Sequence, residues 1–306
     1  MGFEMKPEKD VLELISSKNQ CKSNPSSVNS SHNNNNNNKK KKRNKNKKMT
    51  TTMTMTWRQK NTDSPVDEIT PVRRLFNTCK EVFSNGSAGA VPSGDKIQLL
   101  RQILDNMKAE DFGLAPTMPF FRPNTGPVNR SSPPITYLPL YQCDQFSIAI
   151  FCFPPSGVIP LHNHPEMTVF SKLLFGTMHI KSYDWVVDAP TRDPKTRLAK
   201  MKVDSTLTAP CETSILYPED GGNMHQFTAK TACAVLDVLG PPYSDPEGRH
   251  CTYFLDFPFE KFSSEDDVVL RSEEEKKGHA WLQERDDNPE DLNLVGALYR
   301  GPKVED

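Results

Sequence analysis

"IPLHNHPEMTVFSKLLFGTMHIKSYDW", residues 159–185, places three of the chain's seven histidines in one apolar stretch broken by a single glycine. Its pattern is that of strands: "MTVFSKLLFG" and "TMHIKSYDWV" are short and rich in β-branched and aromatic residues. In an extended segment, side chains two apart leave from the same face, so His162 and His164 project together and reach one ion. That spacing alone favours two hydrogen-bonded core histidines. A third histidine shifts the balance: in "YPEDGGNMHQFTA", His225 stands just after a Gly-rich turn at the start of another short strand. Three imidazoles on neighbouring inward faces of a barrel leave positions open on a metal, which catalysis needs and a structural site does not. His179 alternates onto the face opposite Met178 and Ile180, beside Lys181 and Tyr183, and reads as a hydrogen-bonded histidine on a polar strand face. His32, His250 and His279 fall in a tail, a turn and an acidic segment, and none reads as a ligand.

On either side of this stretch the same strand signal continues. "TYLPLYQC", "FSIAIFCF", "STLTAP", "SILYP", "MHQFTA", "CAVLDVLG" and "CTYFLDFPF" are separated by Pro, Gly and Asp turns, the pattern of a sandwich or barrel over about 135–260. Upstream the period becomes helical. Thr70 can cap a helix with Pro71 in its first position, and Val72, Leu75, Phe76, Cys79, Val82 and Phe83 form one apolar face. A second helix, with Ile97, Leu100, Ile103, Leu104 and Met107 as its stripe, ends near Gly113, so helices occupy about 70–113. Downstream, 261–306 turns acidic, and Trp281, Leu282 and the stretch from Leu292 to Tyr299 are expected to pack back on the barrel.

The 306-residue chain carries a net charge of -1, which hides an asymmetry: residues 1–65 hold 14 Lys plus Arg against 5 Asp plus Glu. This tail, with "SSVNSSHNNNNNNKKKKRNKNKKMTTTMTMT", cannot bury enough surface to offset its ordering entropy and is expected to be disordered. Its run Lys39–Lys48 fits a nuclear-import signal, or a solvated charge run read by no receptor. Interleaved aromatics and a reading module are missing from it, so direct nucleic-acid binding is not expected. No apolar run of about 18 residues and no apolar signal core occur, which predicts neither membrane insertion nor secretion. The seven cysteines are odd in number, widely spaced and without a CxxC pair, against a disulfide framework or a zinc ribbon.

The histidine motifs resemble a known family. Gly157, His162-x-His164 and Gly176 look like the first cupin motif, and Pro218, Gly222 and His225 like the second, each spacing off by one residue. The resemblance implies a cupin fold, a double-stranded β-helix or jelly-roll barrel over residues 66–306 that holds its metal inside. Many cupins place a glutamate after the histidine pair; here Thr168 and Val169 stand there. What is left, His162, His164 and His225, resembles the thiol dioxygenases, which bind Fe(II) through three histidines and no carboxylate. Glu166, two residues after His164, remains open as an alternative ligand, although Pro165 intervenes.

"GGNMHQFTA", "AVLDVLGPPYS", "GRHCTYF" and "GALYRGP" extend the likeness to the plant cysteine oxidases, relatives of cysteamine dioxygenase, from Pro71 to Pro302. That resemblance implies oxidation of a protein's N-terminal cysteine to its sulfinic acid with O2 as co-substrate. It further implies group VII ethylene response factors as targets, entry into the arginine branch of the N-degron pathway, and an oxygen-sensing role in nucleus and cytoplasm. A neutral three-imidazole site keeps iron cationic, which suits an anionic thiolate with O2 beside it. Sulfur supplies all four electrons that O2 takes up, so no organic cofactor is required. Asp237 interrupts the apolar strand "CAVLDVLG", where an ionised carboxylate is costly unless paired, and it matches a family aspartate implicated in activity. Tyr243 and Cys251 match family positions near the pocket mouth, with packing and function equally open. A monomer is expected. The competing readings are a dioxygenase for a small thiol, needing a cation such as Lys172, Lys181 or Arg249 for a substrate carboxylate, and a non-catalytic metal-binding cupin.

Overall fold

The computed structural model of the chain describes residues 5–6, 69–84, 86–123, 132–187, 194–262 and 272–305. Apart from Met5–Lys6, the tail 1–65, with its expected disorder and the basic run at 39–48, lies outside the described residues, as does Cys21. The strands are β1 (Met5–Lys6), β2 (Ile135–Gln142), β3 (Ser147–Phe153), β4 (Val158–His162), β5 (Thr168–Phe175), β6 (Thr177–Trp185) and β7 (Thr196–Thr208). They continue as β8 (Ser214–Leu216), β9 (Met224–Ala229), β10 (Cys233–Gly240), β11 (Phe254–Pro258), β12 (His279–Glu284) and β13 (Leu294–Ala297). They form two curled sheets, ordered β1-β13-β2-β3-β10-β5-β8 and β11-β12-β7-β6-β9-β4. Every pairing is antiparallel except that of β13 with β2. This is the cupin jelly roll.

Strand alternation divides the seven-stranded sheet into two environments. On β10, Ala234, Leu236 and Val238 face outward into a cluster with Ile148, Ile150 and Phe170. Cys233 and Val235 face inward, toward Phe153, Met178 and Phe227. Asp237 has the inward parity. The outer cluster is covered by α1 (Pro71–Val82) and α2 (Gly94–Asp105). Thr70 Oγ1 accepts a hydrogen bond from Arg73 N at 3.2 Å, and Pro71, whose missing N–H costs nothing in the first turn, starts α1. α1 then buries Val72, Leu75, Phe76, Cys79 and Val82 along one face.

Gly176 makes the β5–β6 turn with φ +89°, and a Cβ there would stand 2.2 Å from the Ala232 carbonyl oxygen. Only glycine fits that conformation and that space.

The barrel does not end near 260. β12 pairs with both β11 and β7, burying Trp281 and Leu282 completely, and β13 adds a parallel strand to β2. The acidic segment is therefore partly built into both sheets rather than laid over them. α3 (Glu273–Lys277) leads into β12 through a capping box, in which Ser272 Oγ accepts from Glu275 N and Ser272 N donates to Glu275 Oε2, each at 3.1 Å. β7 is likewise longer than "STLTAP" indicated: it begins at Thr196, and its first half buries Thr196, Leu198 and Ala199. Among the described residues, the six cysteines are free and no helix is long and apolar enough to cross a membrane.

Candidate metal centre and its cavity

His162 ends β4 and His225 is the second residue of β9; the two lie directly opposite in the antiparallel register. His164 sits in the loop beyond β4. The three side chains are buried, and one ligand nitrogen from each lies within 4.8 Å of the others. The rings of His164 and His225 approach until their Nε2 atoms are 3.1 Å apart. Two nitrogens bound to one ion at about 2.0–2.1 Å and near a right angle would stand at this separation.

The hydrogen bonds fix which nitrogens are bare. His162 Nδ1 lies 2.8 Å from the Pro160 carbonyl, an acceptor only, so Nδ1 carries the proton and Nε2 is left for a ligand bond. Tyr243 donates its hydroxyl proton to the Asn163 carbonyl at 2.7 Å, so the same oxygen accepts from His164 Nδ1 at 3.0 Å, leaving His164 Nε2 bare. Burial lowers the pKa of all three rings, that of His162 to about 4, and neighbouring rings push His164 and His225 further in the same direction. The triad is neutral at physiological pH, the state in which imidazole binds metal. The donor set therefore fits a divalent ion with open positions.

A cavity of about 360 Å³ opens onto His162 and His164. Its wall includes Asp237, Tyr243 and Cys251, with Asp245, His250 and Asn288 among its polar lining. Asp237 is 5% exposed and its Oδ1 has no hydrogen-bond partner. Burial raises its pKa to about 7, partly offset by a hydrogen bond from Ser171. Cys251 is held in the thiol form by burial, which pushes it up to about 11 against the lowering effect of hydrogen bonds with Tyr243 and Tyr253. No lysine or arginine lines the cavity among the described residues. Of the three cations considered from sequence, Lys172 donates to the Cys211 carbonyl, Lys181 pairs with Asp256, and Arg249 pairs with Glu247.

Other candidates separate cleanly. Glu166 is exposed, in the turn after His164 with φ 58°, and is not among the clustered ligand groups. His179 pairs with Asp204 at 2.8 Å, away from the triad. Tyr243 contacts a histidine of the triad directly, which neither spacing nor composition signalled. Sequence reasoning misses Asn163 and Asn223, loop amides that leave no periodic trace, and Asp184, a single polar residue near the end of β6.

A jelly-roll barrel with three neutral imidazoles clustered so that they could hold a metal, two of them facing a cavity, defines a cupin with a candidate metal site. The chain belongs to the PCO_ADO family, whose family model matches residues 103–304. It is 78% identical over 307 aligned residues to Plant cysteine oxidase 1 of Arabidopsis thaliana, covering all of both chains. It is 63% identical to Plant cysteine oxidase 2 of the same species, over 78% of this chain and 84% of that one. The 2-aminoethanethiol dioxygenase of Homo sapiens is 30% identical over 69% of this chain and 82% of its own. These relationships make the chain an enzyme of the thiol dioxygenase class.

Proposed function

We propose that the chain is an Fe(II) enzyme that uses O2 to oxidise the N-terminal cysteine of proteins to cysteine sulfinic acid, with His162, His164 and His225 holding the metal. One observation carries the choice of substrate. Around the triad the cavity offers a carboxyl oxygen without a partner, Asp237 Oδ1, and, among the described residues, no lysine or arginine. Free cysteine would bring a carboxylate with no cation to meet it. A peptide's first residue brings an ammonium group, which a carboxylate can bind, and a neutral carbonyl.

Iron in this site would supply a coordination position for sulfur and one for O2. Both oxygen atoms end on the sulfur, which gives up four electrons as O2 accepts four, so no external reductant enters. Asp237, poised near neutrality, takes up the thiol proton or binds the ammonium at Oδ1. Tyr243 acts on His164 rather than on substrate: its hydroxyl fixes the tautomer that leaves Nε2 free. Cys251 stays a protonated wall residue.

In this reading the targets are ethylene response factors, whose oxidised N-termini enter the arginine branch of the N-degron pathway, so that oxygen supply sets their lifetime in the hypoxia response. The enzyme works as a monomer in nucleus and cytoplasm, with Lys39–Lys48 as its import signal. Support for these targets comes from the family relationship and from the basic run. Iron-loaded protein incubated in air with a peptide beginning Cys-Gly-Gly should add two oxygen atoms by mass spectrometry, and should turn over free cysteine far less. Preference for free cysteine would refute the substrate assignment. Removing residues 1–65 should leave peptide oxidation nearly intact and shift the protein out of the nucleus; an unchanged distribution rejects the import signal.

A further inference from the structure

His162 and His164 are two residues apart, yet the fold holds them by different means. His162 lies within paired backbone: opposite His225 on one side and bridged to Tyr253 on the other. The next residue is still tied down, since Asn163 N donates to the Thr252 carbonyl and Asn163 Oδ1 accepts from Thr252 N at 2.8 Å. The β4–β9 ladder already shifts register between Ile159 and His162, and it ends there. His164 therefore lies past the last rung, in a loop that runs into the exposed turn at Glu166.

What replaces the missing rung is a side chain. Asn223 Oδ1 accepts from His164 N at 3.0 Å, and Asn223 Nδ2 donates to the His164 carbonyl at 2.8 Å. Each backbone group of the ligand residue is thus met by the same amide, as a neighbouring strand would meet it. The His164 carbonyl also accepts from Met167 N at the longer distance of 3.3 Å, within the turn. The second Nδ2 proton of Asn223 goes to the Tyr217 carbonyl at 2.9 Å, so this buried amide has no spare donor.

Asn223 is itself anchored. The backbone N–H groups of Gly222 and Asn223 both donate to Asp184 Oδ1 on β6, each at 2.9 Å, and Asp184 Oδ2 faces Lys202 Nζ at 3.4 Å. Gly222 has φ +87°, and a Cβ there would stand 2.4 Å from Ser182 Oγ, so the loop can approach β6 closely only without a side chain.

We propose that Asn223, anchored by Asp184, is a positioning residue of the metal centre, holding His164 Nε2 at ligand distance from its partners where the β-ladder no longer does. The proposal rests on the reading of the triad as a metal site.

The test measures Fe(II) dissociation constants by chelator competition for the full-length wild type, Asn223→Ala, Asp184→Ala, Asp184→Asn and His164→Ala, with melting midpoints recorded in parallel. Asn223→Ala should bind iron about 10–100-fold more weakly, the usual effect of losing a group that orients a ligand. The Co(II)-substituted protein should show an altered visible spectrum. Asp184→Asn, which keeps an oxygen to accept both N–H groups, should stay within about threefold of wild type, whereas Asp184→Ala should follow Asn223→Ala. A lowered melting midpoint with iron affinity changed less than about tenfold and an unaltered Co(II) spectrum would make Asn223 a fold residue only and overturn the proposal. Should Asn223→Ala fail to fold, the contrast between the two Asp184 variants decides: equal iron affinities overturn it. If His164→Ala keeps full affinity, the metal-centre reading itself fails, a result that no Asn223 outcome can imitate.

Discussion

Replacing Asp237 with asparagine keeps the size and shape of the side chain and removes its charge. In the folded chain burial holds this carboxyl's proton to about 7, whereas in the unfolded chain it is released near 3.8. Between those values the unfolded state has given up a proton that the folded state keeps. Rising pH therefore favours unfolding across that window, by up to about 1.4 kcal/mol for each pH increment. Above about 7 both states are ionised and the loss levels off at roughly 4 kcal/mol. Asparagine does not titrate, so Asp237→Asn should be more stable than wild type at pH 8, by an amount about 2 kcal/mol larger than at pH 5.5. Urea denaturation of both proteins in chelator, at these two pH values, reads the difference directly. The variant should also retain iron while losing turnover. A stability difference identical at pH 5.5 and pH 8 would refute the claim that the cavity holds an unpaired carboxyl. Iron lost along with turnover would instead make Asp237 a ligand or a fold residue.

His164→Ala should lose bound iron and peptide oxidation together, measured by metal analysis and mass spectrometry on the same sample. Tyr243→Phe removes the hydroxyl that fixes the His164 tautomer while keeping the ring, and should lower iron affinity or activity about 10–100-fold without unfolding the chain, as circular dichroism will show. Trp281→Ala should cost about 3–5 kcal/mol in chemical denaturation, since the indole is fully buried and its Nε1 donates to the Phe259 carbonyl at 3.0 Å.

The parts of the fold legible in the sequence are those whose side chains alternate. The inward parity of Asp237 follows from its place among apolar neighbours on β10, and the pairing of His162 with His225 is consistent with two short strands carrying histidines at their ends. β12 and β13 are six and four residues long and lie in acidic surroundings, so neither presents enough alternation to be told from a packed tail. β7 was half hidden for a different reason: its first half sets Arg197, Lys200 and Lys202 among the buried Thr196, Leu198 and Ala199, and two adjacent buried residues break the period-two pattern. The polar frame of the site left no trace at all. Asn163, Asn223 and Asp184 act through hydrogen bonds to backbone, and those that tie them to Thr252, His164 and the Gly222–Asn223 turn span 38 to 89 positions along the chain.

The C-terminal strand bears on when the enzyme can first work. Leu292 and Leu294 form part of the cavity wall, and β13, which carries Leu294, is held in its sheet beside β2, a strand made about 150 residues earlier. A ribosome still holding these residues carries a chain whose three histidines have all been made but whose reaction chamber lacks a side. The nascent protein can thus acquire its ligands well before it can shelter a substrate. A chain cut before Leu292 should keep the three histidines together in a barrel with an open wall.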